Sequence, residues 1–97
     1  MSKEIIDIEL FAKEGKEVPK GQHYKIKVDR EKYISESECM KGKDILSLAG
    51  KMPYERYQLN QKLKSGQVKK VEYEEEVCFS SPGIERFMTL PLDQTEG

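Results

Sequence analysis

The chain finishes Leu90-Pro91-Leu92-Asp93-Gln94-Thr95-Glu96-Gly97, a short polar tail that ends on glycine. The group with chemistry to offer there is the Gly97 carboxylate. Glycine has no Cβ, so its backbone can thread a narrow channel and leave its carbonyl open to attack. A small domain that ends in a strand, then a few free residues, then Gly, has the layout of a protein attached to others through its own carboxyl end. Polar C-terminal tails are also commonly unstructured, and about 7% of residues are Gly in any protein. The terminus alone leaves both readings standing.

Other reactive side chains are thinly spread. His23 is the single histidine, and Cys39 and Cys78 lie far apart with no CxxC spacing. In a reducing compartment both cysteines are expected as free thiols, with a disulfide permitted but not demanded. A His23–Cys pairing is formally available, yet a lone histidine at a strand edge is usually incidental. No cluster has metal-ligand spacing. The acidic run Glu72, Glu74, Glu75 and Glu76 reads as a solvated loop. Gly42 and Gly50 read as helix punctuation, since no phosphate-loop pattern follows a strand. The five tyrosines lack the basic interleaving of an RNA platform. No catalytic residue, metal or cofactor is expected, and the chain does not read as an enzyme.

Composition narrows the class further. Ninety-seven residues make one domain with a modest core. Charged residues are 36% of the chain and nearly cancel to net −1, which argues against a nucleic-acid partner. No apolar run approaches the ~18 residues of a membrane span. Met1-Ser2-Lys3-Glu4 does not open a signal peptide. A cytoplasmic protein is expected, with no membrane partner.

The elements that would carry the tail follow from periodicity. Ile5, Ile8, Phe11 and Ala12 fall at helical spacing, with Ile6 and Leu10 widening the apolar surface and Gly15 placed to end the helix. Residues 1–22 read as an amphipathic arm and linker, punctuated by Pro19 and Gly21. Ile5, Ile8, Leu10 and Phe11 are its docking residues, either on the chain's own domain or on a neighbour through self-association.

From His23 the period changes to two, as in a half-buried strand. Tyr24, Ile26 and Val28 alternate with polar residues, residues 29–31 turn, and residues 32–36 pair back. Residues 42–51 read as a helix with Ile45, Leu46, Leu48 and Ala49 on its apolar face, stopped by Gly50 and Pro53. Strands follow at 56–63 and 68–71, and a last one lies around Phe87 after Pro82-Gly83. The expected core is Ile26, Val28, Ile45, Leu48, Leu59, Val71 and Phe87, with Tyr24 and Ala49 at its margins. The order β-β-α-β-β-β describes an α+β domain, a mixed sheet packed on one helix, which is the β-grasp order. It spans residues 23–91, followed by a flexible tail at 92–97.

Particular stretches resemble the bacterial multiubiquitin-domain family. They are Tyr24-Lys25-Ile26-Lys27-Val28-Asp29, Asp44-Ile45-Leu46-Ser47-Leu48-Ala49-Gly50-Lys51, Pro82-Gly83-Ile84-Glu85-Arg86-Phe87, Leu90-Pro91 and the tail. Asp7-Ile8-Glu9-Leu10-Phe11-Ala12-Lys13-Glu14-Gly15-Lys16 and Val18-Pro19 resemble the segment that precedes each domain there. The resemblance implies a ubiquitin-like fold and a modifier's role. Gly97 would be the conjugated residue, and Asp93, Gln94, Thr95 and Glu96 the stretch that partners recognise. It implies an activating enzyme, a conjugating enzyme, a metalloprotease that trims the C-terminus, and target proteins. Two departures stand out: this chain has one domain where relatives often carry several, and Glu96 replaces the first Gly of the Gly-Gly pair that ends ubiquitin. That replacement also counts against a sulfur carrier. The other class is a β-grasp interaction module with an inert tail, binding partners by its sheet or self-assembling through its arm.

Overall fold

A computed structural model describes residues 5–18, 23–81 and 83–92. In β2 (His23–Val28) the period-two pattern buries Tyr24, Ile26 and Val28 on one face. Lys25 and Lys27 fall on the other. β3 (Glu31–Ser35) returns antiparallel, with Ile26 opposite Tyr33 and Lys27 opposite Lys32. The two-residue turn between them places Asp29 at φ 58, in the left-handed region usually left to glycine.

The crossover helix α2 (Gly42–Leu48) buries Ile45 and Leu46, with Ala49 just beyond it. It stops in a Schellman closure: Lys51 N–H donates to the Leu46 carbonyl at 2.8 Å and Gly50 N–H to Ser47 at 3.0 Å. A 3-10 turn at Tyr54–Arg56 leads into β5 (Tyr57–Leu63). β6 (Val68–Val71) and β8 (Ile84–Pro91) flank β5, both antiparallel to it. β8 then lies parallel to β2, with Phe87 opposite Val28. The result is a mixed sheet packed on a helix, an α+β fold of the ubiquitin-like β-grasp kind.

The N-terminal segment departs from expectation. Its helix does not run through Ile5. Residues Ile5–Asp7 form strand β1, parallel to β2 with Ile6 opposite Tyr24. Because β3 lines one edge of β2, β1 and β8 share the other. α1 (Ile8–Lys13) begins only where the Asp7 carboxylate accepts the Glu9 N–H at 3.1 Å, an N-cap that sets the boundary. Asp7 also takes Lys32 Nζ at 2.7 Å, and Glu9 lies 3.6 Å from Lys32 and 3.9 Å from Lys27. Those lysines face away from the α2 side, so α1 lies over the opposite face of the sheet.

One core results. Ile6, Ile8 and Val18 join Tyr24, Ile26, Val28, Ile45, Leu46, Leu59, Val71, Val77, Phe79, Ile84 and Phe87. Tyr24, expected at the margin, is fully buried, whereas Leu48, expected inside, is only half-buried.

Two further strands form outside the five expected. β4 (Cys39–Lys41) and β7 (Glu76–Cys78) form a separate antiparallel ribbon. Cys39 sits directly opposite Cys78 in it, and the two are joined as a disulfide. The expectation of free thiols is thereby corrected: residues 39 apart in sequence are brought face to face by the ribbon's register.

Candidate functional site

The carboxyl end is positioned by β8, so the anchoring of that strand decides where a tail can start. β8 pairs with β5 from Leu63 opposite Ile84 to Tyr57 opposite Pro91. Phe87 holds the strand from within, fully buried and edge-on to Phe79 at 6.1 Å. A second anchor comes from the hairpin turn. The Asp29 carboxylate accepts Thr89 N–H at 2.8 Å and the Thr89 hydroxyl at 2.5 Å, while Asp29 N–H donates to the Phe87 carbonyl at 2.9 Å.

Past Pro91 the chain is held once more, by the Leu92 N–H donating to the Arg56 carbonyl at 2.8 Å. The entry to β5 on which this rests is itself pinned. Tyr73 donates its hydroxyl to the Tyr57 carbonyl at 2.7 Å and stacks edge-on against Tyr54 at 5.0 Å. Burial is the main cause that lifts the Tyr73 phenol above its ordinary value, so the hydroxyl stays a donor. Leu92 lines a small cavity of about 110 Å³ with Gln58, Lys70 and Tyr73. Asp93, Gln94, Thr95, Glu96 and Gly97 lie outside the described residues.

The arm residues are divided. Ile8 is fully buried and Phe11 packs partly against the core, while Ile5 and Leu10 are 49% and 53% exposed. Side chains at these four positions therefore do not form one surface. Ile6 and Ala12, at 3% and 2% exposure, are buried instead of Ile5 and Leu10. The signal was available in the β-branched pair Ile5-Ile6 ahead of Asp7, a strand followed by a cap residue.

Groups considered for catalysis do not converge. His23 Nε2 lies 4.0 Å from a Glu36 carboxylate oxygen. Neither cysteine carries a free thiol in this state. Among the described residues no group of three His, Cys, Asp or Glu side chains could hold a metal ion. Glu74 of the acidic run meets Lys43 at 2.8 Å and Lys41 at 3.2 Å. The lysine hydrogen bonds, Lys43 first, hold its carboxyl below the usual range.

Compared with known proteins, residues 24–91 match the family model described as Multiubiquitin. No curated protein and no solved structure matches the chain.

Proposed function

Because the chain belongs to the multiubiquitin family, we propose that it is a ubiquitin-like protein modifier of a bacterial conjugation system. The single observation that carries this reading is the held exit of β8. Pairing with β5, the Asp29–Thr89 bonds and the Leu92–Arg56 bond fix the strand up to the start of the tail. Six residues from Leu92 to Gly97 reach about 20 Å when extended. A domain so anchored can stay outside a partner's active site while the tail enters it.

The chemistry belongs to partners. An activating enzyme joins the Gly97 carboxylate to AMP from ATP, releasing pyrophosphate. A cysteine thiolate displaces AMP to form a thioester. After transfer to a conjugating enzyme, a target amine displaces the thiolate and an isopeptide bond forms. A metalloprotease that trims the C-terminus is a further partner, and Asp93–Glu96 is the stretch these partners read. ATP-dependent activation places the system in the cytoplasm. The modifier itself performs no catalytic step.

The test uses the full chain, with its end defined by intact mass, mixed with ATP and a candidate activating enzyme. The expected result is an adenylate or a thiol-sensitive thioester that disappears when Gly97 is deleted. Transfer that persists without Gly97 overturns the mechanism. A second reading, an interaction module that self-assembles through its arm, is favoured by the exposure of Ile5 and Leu10. Sedimentation of the chain beside an Ile5→Ser/Leu10→Ser variant tests it. Equal monomer masses at all concentrations remove it.

A further inference from the structure

We propose that Cys39 and Cys78 form a reversible thiol–disulfide lock on the β4–β7 ribbon. Among the described residues the ribbon pairs with no other strand, and its three register pairs are Cys39–Cys78, Met40–Val77 and Lys41–Glu76. It nonetheless sits at a structural junction. The first helical amides of α2 have no side-chain cap. Gly42 N–H donates instead to the Glu75 carbonyl and Lys43 N–H to the Tyr73 carbonyl, each at 3.0 Å. At the other end of the ribbon, Phe79 N–H donates to the Glu38 carbonyl at 2.7 Å. The start of α2 is thus held by the segment that the disulfide ties down.

The bond is also reachable. Both cysteines are partly exposed. An open cavity of about 230 Å³ lies beside Cys78, lined also by Lys69, Ser81 and Ile84. A small thiol or disulfide can approach there, and Lys69 is a cation for its carboxylate. Closure proceeds by exchange with a low-molecular-weight disulfide. One cysteine thiolate attacks it and forms a mixed disulfide, releasing one thiol. The second cysteine thiolate then displaces the other thiol. Two electrons pass from the protein thiols to the small disulfide, and each protein thiol gives up its proton. Opening is the same exchange in reverse, driven by excess small thiol.

Reduction frees a cross-link between residues 39 apart, which restores loop entropy to the unfolded chain. The experiment equilibrates the purified full chain in glutathione buffers from mostly oxidised to fully reduced, then quenches with acid, alkylates and measures intact mass. The expected result is the disulfide form in oxidised buffer and the dithiol in reduced buffer. On reduction the melting temperature falls by roughly 10 °C or more. Amide exchange accelerates in residues 36–43 and 72–79, while β2, β5 and β8 keep their protection. A Cys39→Ser/Cys78→Ser variant should match the reduced protein in both buffers. The lock is overturned by free thiols in oxidised buffer, by a disulfide that survives reduced glutathione, or by identical melting and exchange in the two states.

Discussion

Gly42 stands where no side chain fits: a Cβ there would lie 2.3 Å from the Glu72 carbonyl oxygen and 3.2 Å from Val71 Cγ1. Because the nearest obstacle is backbone, it cannot swing aside as a lysine tip would. Gly42→Ala should therefore destabilise by about 1–3 kcal/mol, despite alanine's better helix propensity. Urea unfolding checks this, and an unchanged midpoint would show that the loop yields. Glu74, one turn of loop away, gives a pH prediction. Its folded carboxyl is held low by Lys43 and then Lys41, so its contribution is fully present above the unfolded glutamate value of about 4.3. It is lost as pH falls through the depressed folded value. An NMR titration should place the Glu74 midpoint below that of an ordinary glutamate, and Lys43→Gln should move it up. The effect on stability is small, because the pair is exposed and screened.

At the scale of elements, long periodic stretches were legible and short ones were not. β2, α2, β5 and β6 lie close to where alternation and helical spacing place them, because five or more patterned residues or flanking turn residues mark each one. β1, β4 and β7 have three residues apiece, too few for a period to show. The disulfide went unread for the same reason, since only the β4–β7 register brings Cys39 opposite Cys78. Likewise nothing local announces that Asp29 would both occupy a glycine-like φ and accept bonds from Thr89, 60 residues on. The arm offers the sharpest test of which pattern was right. Ile8 is fully buried and Leu10 is 53% exposed. Ile8→Ala should cost about 2–5 kcal/mol, and Leu10→Ala should stay within about 0.5 kcal/mol. Equal effects, measured by chemical denaturation, would contradict the placement of β1 and α1.

For the whole molecule, the consequence of one shared core is cooperativity. β1 adds to the same edge of β2 that β8 uses, Ile6 faces the side of Tyr24, and Val18 closes on the same cluster. The carboxylates of Asp7 and Glu9 tie α1 to Lys27 and Lys32 on the other face. An arm bound only by surface ion pairs would fray independently, since such pairs contribute about 0–1 kcal/mol each. An arm that places Ile6, Ile8 and Ala12 in the interior cannot leave without exposing several apolar side chains, each stabilising by roughly 1.5–3 kcal/mol when buried, alanine less. Residues 5–18 should therefore unfold with the sheet in a single two-state transition. Native-state amide exchange reads this directly. The buried amides of α1 should exchange through the same opening as those of β5 and β8, with the same denaturant dependence. A separate, lower-energy opening of residues 5–18 would mean that the β-grasp core stands without the arm, and would return Ile8 and Phe11 to the pool of surfaces free to meet a partner.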